Sequence, residues 1–119
     1  MSLRLTTGQF DDIANLGFEK KLIELLGQSD PDAATHFKTD AGVAELRRQC
    51  AKARRYGLTR EVDVARYVTT AWLLGVDFDV KFGAMQEVLS APQLTSAQKA
   101  EGLEKITVAL FSTLAADGG

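Results

Sequence analysis

Between residues 56 and 82 the chain reads YGLTREVDVARYVTTAWLLGVDFDVKF, and apolar positions crowd its middle. On a helical wheel of ~100° per residue, Val62, Val64, Ala65, Val68, Ala71, Trp72 and Leu73 cover a wide arc, extended by Tyr67 and Leu74. Asp63, Arg66 and Thr70 form the one continuous polar stripe. A helix apolar over most of its circumference is normally enclosed by others. The pattern therefore predicts a central buried helix over about residues 60 to 74, ended by Gly75 and begun at Thr59 as N-cap, with Glu61 and Asp63 in its first turn.

The flanking segments have the same period. Phe10, Ile13, Ala14, Gly17, Phe18, Leu22, Leu25 and Leu26 predict a first helix, opened by the reciprocal cap Thr6/Gln9 and ended by Gly27. Residues 28 to 39 carry Asp30-Pro31 and no long stripe, and read as a loop with one helical turn around residues 31 to 37. Val43, Leu46, Cys50 and Ala53 face inward on a helix over residues 40 to 56, with Gly57 as its left-handed stop. Asp79 caps a shorter helix through Phe82, Met85, Val88 and Leu89, which ends before Pro92. Thr95 and Gln98 then repeat the capping-box spacing before a last helix with Leu103, Ile106, Leu110 and Leu114 in line and Phe111 beside them. No strand-like alternation appears, so the expected fold is all-α: a single domain over residues 1 to 119, a bundle of about five helices.

Composition narrows the class without deciding the function. The 119 residues are 45% hydrophobic and 25% charged, enough for one core without disulfide or metal. A net charge of -2 disfavours a surface wholly committed to nucleic acid or anionic lipid. The single cysteine, Cys50, forms no internal disulfide and suits a reducing compartment. With no signal-peptide pattern and no apolar run near ~18 residues, the expectation is a cytoplasmic protein without membrane insertion.

Charge is most uneven in RRQCAKARRYGLTR, residues 47 to 60, which holds six of the fourteen Lys and Arg and no acid. Arg48, Lys52 and Arg55 lie opposite the apolar stripe of their helix, and Arg47 and Arg54 flank it. Such a ridge is either a solvated face complementing the helix C-terminus or a contact for an acidic protein surface or for phosphates. Phe78 and Phe82 flank a connector, where aromatics plug a bundle's end or anchor a partner. These seven residues, Arg47, Arg48, Lys52, Arg54, Arg55, Phe78 and Phe82, are the candidate partner contacts. His36 lies far from a second His or Cys, Asp77 and Asp79 lack the spacing of a calcium loop, and Cys50 sits on an apolar stripe. No catalytic, cofactor or metal site is expected, and the chain reads as a non-enzyme.

The run Arg55-Tyr56-Gly57-Leu58-Thr59-Arg60-Glu61-Val62-Asp63-Val64-Ala65-Arg66-Tyr67, then Leu73-Leu74-Gly75-Val76-Asp77-Phe78-Asp79, resembles a family of small helical accessory proteins. Their genes lie beside type VI secretion spike, effector and immunity genes of Gram-negative bacteria. The likeness extends through Val88-Leu89 and Leu94-Thr95, covering roughly residues 46 to 106. Val80-Lys81-Phe82-Gly83-Ala84 lacks the proline and tryptophan that similar proteins often carry there. The resemblance implies no catalytic residues. It implies a protein-binding module whose partner is a toxin effector or spike-associated carrier from a neighbouring gene, in the role of adaptor, chaperone or immunity protein. The alternative is a small nucleic-acid-binding regulator using the ridge 47 to 60, although no base-stacking platform accompanies it.

Overall fold

The computed structural model describes residues 17 to 117, and the side chains of residues 17 to 113. Among these residues there are helices and no strand: α1 Phe18–Ser29, α2 Pro31–His36, α3 Asp40–Arg55, α4 Glu61–Leu74, α5 Phe78–Lys81, α6 Gly83–Ser90 and α7 Ser96–Asp117. The Thr6/Gln9 cap and the start of the first helix lie outside the described residues.

Helix α4 is the hub. It packs against α1, α3, α5 and α7, and Asp63, Val64, Ala65, Tyr67, Val68, Thr69, Thr70 and Ala71 are all buried along it. Of its polar stripe, Asp63 and Thr70 are buried and the Arg66 side chain is 33% exposed. Thr69 and Thr70 satisfy their hydroxyls by donating to the carbonyls of Ala65 and Arg66, one turn back. Leu22, Leu25 and Leu26 of α1, Leu46 and Ala53 of α3, Met85 and Leu89 of α6, and Ala100 and Leu103 of α7 complete the core. Trp72 is half-buried against it, and its Nε1–H donates to Asp30 Oδ2 at 2.8 Å.

Several local readings are corrected by tertiary packing. Gly27 does not end α1, which runs on to Ser29; a Cβ at Gly27 would meet Ala34 Cβ at 3.0 Å, so the glycine serves the close approach of α2. The helical turn expected around residues 31 to 37 is present as α2, with Asp30 accepting the Asp32 N–H and Pro31 opening it, although the stretch 28 to 39 is more helical than the loop expected around that turn. The helix expected from Asp79 to Leu89 is broken in two at Phe82, whose backbone is extended (φ -107°, ψ 113°), and Asp79 lies within α5 rather than capping it.

Thr59 does not cap α4. The Ncap is Arg60, and Thr59 N–H donates instead to Ser96 Oγ of α7. Ser96 Oγ in turn donates to Asp63 Oδ2 at 2.6 Å, while Arg60 grips both Asp63 oxygens at 2.8 and 3.0 Å. Lys99, one turn further along α7, donates to the carbonyl of Tyr56 at the end of α3. The first turn of α7 thus clamps the α3–α4 corner, where Gly57 takes the positive φ of 92° that lets the chain reverse. The cap at Thr95 forms both expected bonds, Thr95 N–H to Gln98 Oε1 and Gln98 N–H to Thr95 Oγ1.

Candidate functional site

Helix α3 has the most uneven chemistry of the molecule. Thr39 starts it by accepting the Gly42 N–H. Gly42, Leu46, Gln49, Cys50 and Ala53 then face the core, which forces the arginines between them outward. The six cations of residues 47 to 60 divide into two sets. Arg47 Nε donates to Glu19 Oε2 at 2.9 Å, Lys52 Nζ to Asp79 Oδ1 at 3.1 Å and to the Val76 carbonyl at 3.0 Å, and Arg60 is held by Asp63. Arg48, Arg54 and Arg55 are exposed, and no carboxylate among the described residues pairs with them. Arg48 and Arg55 are two turns apart and share a stripe; Arg54 lies to the side.

Lys52 is a structural residue rather than a free contact. Asp79 is almost wholly buried and accepts from Lys52 and, at 2.7 Å, from the Tyr56 hydroxyl. Burial by itself would raise the Asp79 carboxyl, but the Tyr56 and Lys52 hydrogen bonds and the Lys52 charge outweigh it and hold it below the usual carboxylate range. Burial and the Asp79 carboxylate together push the Tyr56 phenol up to about 12. Both groups therefore keep one protonation state through neutral pH, and their hydrogen bonds latch the end of α3 to α5.

Phe78 is fully buried, with its ring 4.9 Å from that of Tyr67, and so plugs the bundle; its assignment as a partner contact is withdrawn. Phe82 is half-buried against the core, with Lys81 Nζ 5.6 Å from its ring centroid. Cys50 and His36 are not brought together. Cys50 faces Gly17, Phe18 and Arg54, whereas His36 is hydrogen-bonded to Glu45 on the other flank of α3. Among the described residues no three His, Cys, Asp or Glu gather to hold a metal ion.

On that second flank a cleft of about 250 Å³ opens between α2, α3 and the end of α4. Phe37 and Trp72 wall it, with ring centroids 5.4 Å apart, and His36 adds a third ring 5.6 Å from Trp72. Leu46, Val68 and Ala71 form its apolar floor, and Gly75 and Val76 its far rim. Gln49 also lines it. That side chain is 6% exposed and its Oε1 finds no donor among the described residues. A buried amide left so costs about 1 to 3 kcal/mol.

No family model, curated protein or solved structure matches the chain. The functional reading therefore rests on the chemistry of its own exposed and unpartnered groups.

Sequence reasoning passed over Gln49, although a signal was present: an amide at an inward position of a stripe otherwise made of Leu46, Cys50 and Ala53. It also passed over the Asp63–Ser96 clamp, whose partners are 33 residues apart and share no local pattern. Cys50 supplies a direct check on the chemistry of the site. It is 4% exposed, and burial pushes its thiol up to about 11. Alkylation of the native protein by a small thiol reagent at pH 8 is expected to be at least ~10-fold slower than in denaturant, because the thiolate is scarce and covered. Equal rates would show an open, ionised cysteine and reopen a nucleophilic role.

Proposed function

We propose that the chain is a non-catalytic protein-binding module, and that Arg48, Arg54 and Arg55 on the outer face of α3 receive an acidic surface of its partner. One observation carries this reading: three exposed arginines share a helix, and none is neutralised by a carboxylate of the described residues. Arginine suits the role because its planar fork binds carboxylates in pairs of hydrogen bonds. The closed core around α4 and the fixed protonation of Tyr56 and Asp79 direct attention to the surface. No helix of the described residues is long and apolar enough to cross a membrane.

The resemblance over residues 46 to 106 supplies a setting, an accessory protein of type VI secretion acting in the cytoplasm. In that setting the acidic partner is a toxin effector or spike-linked carrier encoded beside it, and the module serves as adaptor, chaperone or immunity protein. Co-purification with the folded product of the neighbouring effector gene tests the setting. A complex at micromolar concentration is expected, and its absence would reject the assignment. Rescue of cells from the toxin would mark an immunity protein, and loss of effector solubility or export on deletion a chaperone or adaptor. The same arginines could in principle meet phosphates, but α3 carries no aromatic residue on which a base would stack. Salt-sensitive binding to duplex or single-stranded DNA at low salt would shift the reading to nucleic acid.

A further inference from the structure

We infer that the arginine stripe and the aromatic cleft are one surface, and that the acidic segment of the partner carries an aromatic side chain that it lays in the cleft beside Arg48 and Arg55. The inference rests on the reading of the arginine face given above and names the kind of segment that face receives.

Position comes first. Going round α3 at ~100° per residue, Glu45, which lines the cleft, is followed by Lys52 and then by Arg48 and Arg55, all within about a quarter of the circumference. Lys52 joins the two halves. Its Nζ donates to the carbonyl of Val76, on the far rim of the cleft, and to Asp79. Arg48 stands level with the cleft, and Arg55 lies ~10 Å further along the helix axis.

Exposure then decides what a partner can touch. Phe37, Leu46 and Val68 are buried and only back the cleft. The groups within reach are Trp72, which is half-buried, the His36 side chain, 38% exposed, and Val76, 40% exposed. Among the described residues four large hydrophobics are exposed, and two of them, Val76 and Val80, lie on the connector and helix that Lys52 holds against α3. Apolar surface thus gathers beside the stripe of unpaired arginines.

These groups select the partner's chemistry. Arginine forks favour carboxylates, and the Trp72 and His36 rings, 5.6 Å apart, favour an aromatic body. The cleft of about 250 Å³ is smaller than the roughly 300 to 1,000 Å³ of drug-sized sites, so it admits one side chain. Glu45 Oε2 is engaged by His36, whereas Asp77 is exposed beside Val76 and opposes an acid there. The partner's carboxylates therefore belong on the α3 side of the ring. An extended segment, at ~3.3 Å per residue, passes from Arg48 to Arg55 in about three residues.

The test uses the capped pentapeptide Glu-Glu-Phe-Glu-Glu at low salt, with Glu-Glu-Ala-Glu-Glu and Gln-Gln-Phe-Gln-Gln as comparators. Affinities are read from amide chemical shifts, and Trp72, the sole tryptophan of the chain, reports on the cleft through its fluorescence and its indole N–H resonance. Saturable binding of the first peptide that moves both Trp72 signals is expected. The alanine peptide should bind about tenfold more weakly, and the glutamine peptide at least ~3-fold more weakly. All three comparisons use the wild-type protein, so no variant has to fold. Equal affinity of the phenylalanine and alanine peptides, or Trp72 signals that do not move, would overturn the inference and leave the arginine face standing. Equal affinity of the Glu and Gln peptides, with Trp72 responding, would overturn it by separating the cleft from the arginines, and would count against the arginine face as well. No saturable change in the folded protein would overturn it too, and titration with the whole partner would then decide the arginine face alone.

Discussion

Replacing Gly42 with alanine is expected to destabilise the protein by about 3 kcal/mol or more, the reverse of the usual gain from Gly→Ala inside a helix. A Cβ at this position would lie 2.1 Å from the His36 carbonyl oxygen, 2.8 Å from its carbon and 3.1 Å from Phe37 Cα. All three are backbone atoms. The His36 carbonyl is itself held by the Thr39 hydroxyl at 2.7 Å and the Thr39 N–H at 3.2 Å, so it cannot retreat without undoing the start of α3. The gain in helix propensity is worth only about 1 kcal/mol, so the clash decides the sign. Thermal unfolding should show a fall of more than about 10 °C in Tm. Gly83→Ala is the matched control: nothing lies within 4 Å of its Cβ position in α6, and it should hold or raise Tm. A Gly42→Ala protein as stable as wild type would mean that α2 and α3 do not meet as described.

The second large effect is expected at Asp63. Its carboxylate is wholly buried and takes two bonds from Arg60 and one from Ser96. Asp63→Ala removes all three and should cost about 2 to 3 kcal/mol. The cost stays below the upper end for a broken buried ion pair because Arg60, 58% exposed, is released to water and not stranded. Ser96→Ala, which frees Thr59 N–H at an exposed corner, should cost about 1 kcal/mol.

The same carboxylate sets a pH dependence. Burial would raise the Asp63 carboxyl, but the hydrogen bonds from Arg60 and Ser96 and the charges of Arg60 and Arg66 outweigh it and leave it below the ordinary range. Asp79 is depressed in the same direction. The unfolded chain therefore binds these protons first. The stability from both groups is complete above their unfolded values near ~3.9 and is lost as pH falls through the lower folded values. Urea midpoints measured from pH 6 down to pH 2 should fall in wild type, and less steeply in Asp63→Ala. Parallel curves would show that the clamp does not carry this acid sensitivity.

The core helix was legible because its pattern is redundant. From Val62 to Leu74 so many positions are apolar that no register error exposes them all, and Gly57 and Gly75 mark the ends by conformations that side chains resist. Thr95 and Gln98 were legible for a different reason: a capping box is closed within four residues. What stayed hidden depends on distant partners. Thr59 has the right chemistry for a cap, yet Ser96 reaches its N–H from 37 residues away and the helix starts one residue later. Asp79 looked like a cap and is a buried acceptor, because Tyr56 and Lys52 come to it from α3. Pro31–His36 is only six residues, too short to display a helical period, and was legible as a turn through Asp30-Pro31 alone. The outward set of arginines on α3 could be read from the wheel, but their division into paired and unpaired required the positions of Glu19 and Asp79.

If the chain serves a neighbouring effector gene, as proposed, the decisive measurement is calorimetric titration of that gene's product with wild type and with the double variant Arg48→Glu/Arg55→Glu. Both residues are exposed, so the variant should fold normally and show the wild-type circular dichroism spectrum. If the outer face of α3 is the recognition surface, wild type binds with an affinity that weakens as salt rises, and the charge reversal lowers it by at least ~10-fold. Equal affinity of the two folded proteins, at low salt, would contradict the assignment of function to these arginines.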